Sequence, residues 1–229
     1  MPRIILIETS TALCSTAIEQ DGRIICSRES SEPRAHASKT AAFIKEMLDE
    51  CNLRVQDCDA VCVSAGPGSY TGLRVGSSTA KGLCFGAGRP LIAAGTLDIL
   101  VRQAISAGLP DGCTAIVPMV DARRMEVYSA VYSPSGDRLT EIAPCIVEAG
   151  SFSAELAAGK VLFIGDGAAK CAPVLDNPNA LFVQVNPNAN AMAQLAEEAF
   201  QKSDFQSTAY FEPFYLKEFV ATVSKKNLF

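Results

Sequence analysis

The order of the predicted strands and helices most restricts the fold of this chain, because one order occurs twice. Runs of β-branched residues, an Asp-Gly turn signal and apolar residues at helical spacing predict three strands in residues 1–108, followed by helix, strand, helix, strand and helix. These elements are predicted at 3–8, 16–19, 23–28, 36–51, 60–64, 72–85, 91–94 and 96–107.

The same order returns after 108–112, a stretch with Pro and flanking Gly that is the best linker candidate in the sequence. The second set is predicted at 114–120, 125–132, 138–147, 151–158, 161–165, 168–175, 181–185 and 188–201. The repetition predicts a duplication into two domains, residues 1–108 and 109–229.

Two local features repeat with the elements. An acidic residue ends the first strand of each set, Glu8 in one and Asp121 in the other. A glycine at a hairpin turn follows each acid, at Gly22 and at Gly136. Eight elements in the same order, with these two matches, favour duplication over chance.

The repeated order predicts the fold class. Three strands followed by alternating helices and strands are the order of ribonuclease H-like half-domains. We therefore expect an α/β protein of the actin-like (ASKHA) class, whose two ribonuclease H-like lobes each have a mixed sheet flanked by helices. In this class a nucleotide lies between the lobes, near the hairpins, but a fold alone does not determine function. The second lobe includes a tail after Lys217 that we expect to be mobile.

A single histidine, His36, restricts the chemistry of the chain. A Ser/His/Asp or Cys/His hydrolase would have to use this one residue, and a metal motif with paired histidines is excluded. The 20 Lys and Arg residues against 25 Asp and Glu give a net charge of −5, which weighs against binding nucleic acid through overall charge. RNA bound through a partner stays open.

The cysteines and the apolar runs indicate a cytoplasmic protein. Nine cysteines are scattered through apolar segments with no C-x-x-C pair, which favours reduced thiols in the core. Only the four apolar residues 4–7 precede Glu8, too few for the core of a signal peptide. No apolar run approaches the roughly 18 residues that a membrane-spanning helix needs.

The glycine-containing loop 64–76 follows a predicted strand and precedes a predicted helix, a position typical of phosphate-binding loops. Its glycines do not have the dinucleotide-binding spacing, and the Gly-Lys-Ser/Thr of a P-loop is missing. Tyr70 stands where a nucleophile elbow needs serine. None of these general motifs is present, so the loop has to be compared as a whole.

The loop as a whole resembles the TsaB (YeaZ) family of tRNA threonylcarbamoyladenosine proteins, and the resemblance covers both halves of the chain. It rests on Ile7-Glu8-Thr9-Ser10-Thr11 with Cys14-Ser15, on Gly66-Pro67-Gly68-Ser69-Tyr70-Thr71-Gly72-Leu73-Arg74 continuing into Ala80-Lys81-Gly82, and on Val120-Asp121-Ala122-Arg123-Arg124 with Glu126-Val127-Tyr128. Towards the C-terminus the match is looser, at Pro213-Phe214-Tyr215-Leu216-Lys217.

The resemblance implies a scaffolding or regulatory subunit without catalysis or metal of its own. Its partner would be a larger TsaD-like paralogue that transfers a threonylcarbamoyl group to the adenosine 3′ of the anticodon in tRNAs reading A-starting codons. ATP and a divalent metal would belong to partner subunits, including a TsaE-like ATPase. In isolation the chain would form a homodimer, and tRNA would be bound through the complex.

The resemblance also implies that helices of the first half form the subunit contact. The small residues of helix 72–85 have two interpretations: close packing onto the sheet, or an interface. With the family in view we predict a partner interface and expect Gly76→Arg to block association while leaving a folded monomer. The predicted interface residues are His36, Ala37, Ile44, Leu48, Leu73, Arg74, Gly76, Ala80 and Leu83.

The two strand-end acids predict a degenerate nucleotide cleft. Active members of the class have a glycine soon after the acid, and neither Glu8 nor Asp121 has one. We expect no catalysis there, whereas weak nucleotide binding stays open. The predicted cleft residues are Glu8, Thr9, Ser10, Asp121, Arg123, Gly165 and Gly167.

Three basic residues and two rival functions complete the predictions. Lys81 is expected at a solvated helix position, and Arg123 with Arg124 at a contact to a partner or to tRNA phosphates. One rival is a metalloprotease of the glycoprotease type, against which the lone His36 argues. The other is a self-sufficient small-molecule kinase of the same fold, against which the missing phosphate-loop glycines argue.

Overall fold

The computed structural model describes residues 2–216 and contains two five-stranded sheets. The first sheet has the order β3-β2-β1-β4-β5, and the second has the equivalent order β8-β7-β6-β9-β10. In each, one strand lies in the middle, with two antiparallel strands on one side and two parallel strands on the other. The predicted duplication is therefore confirmed.

The described part of the first half contains five strands and three α-helices, with a 3₁₀ turn at Val55–Asp57. They are β1 (Arg3–Glu8), β2 (Cys14–Gln20), β3 (Arg23–Ser30), α1 (Ala35–Glu50), β4 (Ala60–Gly66), α2 (Tyr70–Ala87), β5 (Leu91–Gly95) and α3 (Thr96–Ala107). The hairpin between β2 and β3 turns at Asp21 and Gly22, both with positive φ, as the Asp-Gly pair predicts. Helix α2 begins before the predicted residue 72, because the Ser69 hydroxyl caps it by accepting the Gly72 N–H at 3.3 Å.

The second half repeats these elements, all but the first of them in shorter form. They are β6 (Cys113–Asp121), β7 (Glu126–Ser129), β8 (Ala143–Ile146), α4 (Ser153–Ala158), β9 (Lys160–Ile164), α5 (Ala168–Cys171), β10 (Ala180–Val183) and α6 (Ala193–Gln201), the last preceded by a 3₁₀ turn at Ala189–Met192. The long strand predicted at 138–147 is wrong in its first part. There the backbone makes only a bridge between Tyr132 and Arg138 before β8 begins.

The last helix of each half packs against the other half. Leu97 and Leu100 of α3 lie in a core cluster with Ile116 and Leu162 of the second sheet. Met192, Ala193 and Ala196, at the start of α6 and just before it, pack against Ile4 and Leu6 of the first sheet. Each sheet is therefore built from strands on one side of residue 108 in the sequence, whereas the last helix of each half packs on the sheet of the other half. This exchange ties the two halves together, and the division at 108 stays a prediction about domains.

The segment after α6 returns to the first half. The Gln206 N–H donates to the Leu91 carbonyl at 2.8 Å, and the Phe214 N–H donates to the Ala65 carbonyl at 2.7 Å. Lys81 of α2 holds the segment between these points, since its Nζ donates to the carbonyl oxygens of Ala209 at 3.2 Å and Phe211 at 3.0 Å. The expectation that Lys81 is merely solvated is thus wrong.

The remaining predictions about the chain concern cysteines, membrane helices and the tail. Six of the nine cysteines are buried, and all nine are free thiols, as the sequence predicts. Within residues 2–216 no helix has the length and apolar character to cross a bilayer. The tail predicted to be mobile after Lys217 lies outside the described residues.

Candidate functional site

A cleft of about 1340 Å³ lies between the two halves and is the inter-lobe cleft of the following paragraphs. The first half contributes Ser10, Arg34 and Tyr70 to its walls, and the second half contributes Asp121 and Arg123. The repeated topology explains the location, because the ends of the two equivalent strands β1 and β6 meet there. Of the predicted cleft residues, Ser10, Asp121 and Arg123 line it.

Glu8 and Thr9 lie behind the cleft wall instead of lining it. Both are fully buried. Glu8 Oε1 accepts the Ser10 N–H at 2.6 Å, and the Thr9 N–H donates to Ser64 Oγ at 3.3 Å. Burial raises the pKa of the Glu8 carboxyl to about 7, since the charged form is poorly solvated there. The prediction that these two residues line a nucleotide cleft is therefore corrected.

The equivalent acid, Asp121, lines the cleft but already has a cationic partner. Lys170 Nζ lies 2.6 Å from Asp121 Oδ1 and donates to the Glu126 carbonyl at 2.7 Å. The same carboxylate oxygen accepts the Arg123 N–H at 2.6 Å. A carboxylate engaged in this way is not open to the magnesium that accompanies a nucleotide in active members of the fold. The spacing of residues along the chain did not indicate that Lys170 would pair with Asp121.

Asp166 lies beside Asp121 at the same end of the second sheet. Its Oδ1 accepts the Asp121 N–H at 2.9 Å, and burial raises the pKa of its carboxyl above the usual range. The two glycines that flank it, Gly165 and Gly167, were predicted to form part of the cleft. They are buried and absent from its walls. A Cβ at Gly165 would lie 2.2 Å from the Met119 carbonyl oxygen, and one at Gly167 would lie 2.9 Å from Val127 Cγ1. These glycines therefore permit close packing.

The glycines of the loop 66–72 serve the same purpose in the first half. A Cβ at Gly68 would lie 2.3 Å from the Ser10 carbonyl oxygen, and one at Gly72 would lie 2.0 Å from the Thr9 carbonyl oxygen. The loop thus packs directly on the chain that leaves β1. Among residues 2–216 no group of three or more His, Cys, Asp or Glu side chains is placed to bind a metal ion. The residues present do not fit a magnesium–nucleotide pair.

The prediction of a partner interface is wrong for five residues, because the core of the monomer buries them. They are Ile44, Leu48, Leu73, Gly76 and Ala80. The small-residue face of α2 lies on the first sheet, where a Cβ at Gly76 would meet Thr9 Oγ1 and Val63 Cγ2. Close packing onto the sheet, the other interpretation left open by the sequence, is thus the correct one for this face.

The remaining interface residues are accessible. Ala37 and Arg74 are exposed, whereas His36 and Leu83 are half-buried. Ala37 and Arg74 line a shallow groove of about 540 Å³ between α1 and α2. The guanidinium of Arg74 lies over the Tyr70 ring, 4.4 Å from its centroid.

The exposed face of α2 continues beyond this groove and ends in an apolar side chain. Ser78 and Gly82 are exposed, and Phe85 is 88 % exposed. A Cβ at Gly82 or Gly86 would meet nothing within 4 Å. We call Ala37, Arg74, Ser78, Gly82 and Phe85 the docking surface. The sequence contained the signal for it, since residues 78, 82 and 85 are three and four apart on the helix face opposite Gly72 and Gly76.

Comparisons with known proteins agree with this geometry. The family model described as TsaD, tRNA N6-adenosine threonylcarbamoyltransferase, matches residues 29–225. The tRNA threonylcarbamoyladenosine biosynthesis protein TsaB of Escherichia coli is 30% identical over 230 residues, covering 96% of each chain.

Two solved structures from Pseudomonas aeruginosa are also similar. The structure titled YeaZ has 27% identity and a TM-score of 0.80, covering 94% of this chain and all of the other. An uncharacterized protein with similarity to peptidase YeaZ has 28% identity and a TM-score of 0.83, covering 95% of this chain and all of the other. These likenesses confirm the predicted actin-like fold class. On the family model and the full-length relative, the chain belongs to the TsaB family, within the broader family that the TsaD model describes.

Proposed function

We propose that this chain is a non-catalytic subunit in the synthesis of tRNA threonylcarbamoyladenosine. Its partner would be a TsaD-like protein, which transfers the threonylcarbamoyl group to the adenosine 3′ of the anticodon in tRNAs reading A-starting codons. The name of the full-length E. coli relative supports the pathway. The TsaD family model supports a common origin with the proposed partner.

The exposed face of α2 is the observation that carries the proposal. Phe85 is 88 % exposed on a helix whose neighbouring surface positions, Ser78 and Gly82, are small. Burying a phenylalanine ring contributes about 2 kcal/mol to association, and small neighbours let a partner helix come close. A TsaD-like protein shares the fold, so it would offer an equivalent helix pair. We propose that a second copy of this chain uses the same surface when the partner is absent.

The interior of the molecule supports a role without catalysis. Glu8 is buried, and Asp121 is paired with Lys170, so neither strand-end acid is placed to hold a metal-bound phosphate. In this proposal ATP and the divalent metal belong to the TsaD-like and TsaE-like subunits, and the complex acts on tRNA in the cytoplasm.

The two rival functions require groups that the described residues do not supply. A glycoprotease-type metal site needs a second histidine, and His36 is the only one in the sequence. A self-sufficient kinase needs an open acid for magnesium and glycines that approach the phosphates. Here the glycines at 68, 72, 165 and 167 approach backbone or side chains of the protein itself.

Reconstitution tests the proposal. The chain is combined with the TsaD-like protein, the TsaE-like ATPase, threonylcarbamoyl-adenylate, ATP and tRNA, and the modified adenosine is measured by mass spectrometry of the digested tRNA. Omitting the chain is expected to abolish modification, and the chain alone is expected to produce none. An equal yield without the chain would contradict the proposal, as would modification by the chain alone.

A further inference from the structure

Three arginines line the inter-lobe cleft, and the proposed scaffold role does not use them. Arg34 comes from the loop before α1, and Arg123 and Arg124 come from the turn between β6 and β7. All three are exposed. Within residues 2–216 their side chains make no hydrogen bond or ion pair. The two halves of the molecule thus present unpaired guanidinium groups to one cavity.

Other groups in the cleft are also suited to bind a phosphate ester. Nε2 of His36, which also lines the cleft, is buried and has no hydrogen-bond partner in the described part of the chain. The first turn of α2, at Ser69–Thr71, lies in the same wall, and the N-terminus of a helix favours anions. The aromatic ring of Phe214 completes the lining and offers a surface on which a base can stack.

Two of the three acids in the lining do little to cancel the charge of these arginines. Asp121 is neutralised by Lys170, whose Nζ lies 2.6 Å from Oδ1. Asp166 accepts the Asp121 N–H, and burial disfavours the charged form of its carboxyl. Glu126 also borders the cleft. Because Lys170 already pairs with the Asp121 carboxylate, we expect an anion in this cleft to be held by side chains of the protein.

We propose that Arg34, Arg123 and Arg124 form a binding site for phosphate esters that requires no divalent metal. Guanidinium groups match phosphate oxygens with paired hydrogen bonds, and arginines from both halves would hold one phosphate-bearing strand or molecule between them. The phosphate ester reaches the cleft as the backbone of an RNA or as a free nucleotide. The proposed function makes RNA the expected source of the phosphate ester. Only this choice of RNA rests on the proposed function.

The test uses the isolated full-length chain in buffer with EDTA, so its outcome does not depend on the TsaD-like partner. One arm measures fluorescence anisotropy of a labelled anticodon stem-loop RNA over a range of salt concentrations, and the other measures its displacement by ATP. The variants are Arg34→Gln and Arg123→Gln, one from each half. Arg23→Gln is the control, because Arg23 is exposed at the hairpin outside the cleft. Thermal melting verifies that each variant is folded, and Arg124→Gln replaces a variant that is not.

Each cleft variant is expected to weaken RNA binding about tenfold and to reduce the slope of log affinity against log salt by about 1. Arg23→Gln is expected to change neither. Displacement of the RNA by ATP would show that free nucleotide also uses the site, and RNA binding that ATP leaves unchanged would assign the site to the RNA backbone. The proposal is overturned if the cleft variants bind both probes like the control, if binding appears only when magnesium replaces the EDTA, or if neither probe binds.

Discussion

A Cβ atom added to Gly76 would lie 2.2 Å from Oγ1 of Thr9. The Thr9 hydroxyl donates to the Gly72 carbonyl at 2.9 Å, so helix α2 is held against the end of β1 at the point where the added atom would intrude. Gly76 therefore belongs to the junction between helix and sheet. This relationship reverses the expectation that Gly76→Arg leaves a folded monomer, because the core has no room for the new side chain.

The first prediction compares alanine at two glycines of α2. Gly76→Ala and Gly82→Ala gain the same helix propensity, about 1 kcal/mol each. Only the first must displace Thr9, whereas a Cβ at Gly82 meets nothing within 4 Å. We expect the free energy of unfolding in urea to be about 1–3 kcal/mol lower for Gly76→Ala than for Gly82→Ala. Equal stability of the two variants would show that the junction tolerates the extra atom.

The second prediction concerns pH. The pKa of Glu8 is raised by burial from 4.5 to about 7, so the folded chain keeps its proton over a range in which the unfolded chain loses it. Stability from this group is complete below pH 4.5 and is lost as pH rises through about 7, with a total on the order of 3 kcal/mol. Burial also raises the pKa of Glu19 to about 7, in the same direction.

Glu8→Gln tests this assignment, because glutamine keeps an acceptor for the Ser10 N–H without titrating. Urea denaturation at pH 5 and pH 8 is expected to show a smaller loss of stability in the variant than in the parent. At pH 8 the variant is expected to be the more stable protein. Glu19→Gln should remove a further part of the loss. Parallel profiles for Glu8→Gln and the parent would show that Glu8 does not carry the pH dependence.

The third prediction concerns Lys81 and the segment after α6. Its Nζ donates to the carbonyl oxygens of Ala209 and Phe211, and Lys81→Met removes both bonds while keeping the aliphatic stem. We expect faster hydrogen exchange of the Phe214 amide, which donates to the Ala65 carbonyl at 2.7 Å. Lys45→Met is the control, since Lys45 pairs with the exposed Asp49 on the same helix, far from this segment in the sequence. Exchange at Phe214 that is the same in both variants would contradict the role of Lys81.

The contrast between Gly82 and Lys81 shows which features the sequence can predict. Strand and helix order follow from local apolar spacing and turn residues, and Asp21-Gly22 forms its hairpin where the sequence places it. The part of the docking surface on α2 also follows from residue spacing along a helix. Its residues Ser78, Gly82 and Phe85 were not predicted because the opposite face of α2, with Gly76 and Ala80, has the same small residues, and local spacing does not reveal which face the sheet covers.

The contacts that the sequence did not predict join residues far apart in the chain. Lys170 reaches Asp121 across 49 positions, and Lys81 reaches Phe211 across 130. Arg34 and Arg123 share a cleft only because the two halves face each other. The exchange of α3 and α6 between the sheets is equally non-local, since both helices have apolar faces that either sheet would bury. These arrangements depend on tertiary packing, about which single-residue spacing carries no information.

Measuring the association of this chain with the proposed TsaD-like partner is the most direct test of the proposed role. Sedimentation velocity of the mixed proteins is expected to show a heterodimer with the parent chain. Phe85→Glu places a charge at the most exposed apolar side chain of the docking surface and is expected to weaken the heterodimer by at least about 30-fold, the loss typical of a hot-spot aromatic contact. Ile25→Glu is the matched control, because Ile25 is 44 % exposed on β3, outside that surface.

The account predicts a heterodimer with the parent and with Ile25→Glu, and separate species with a folded Phe85→Glu. A heterodimer that forms equally well with Phe85→Glu would contradict it.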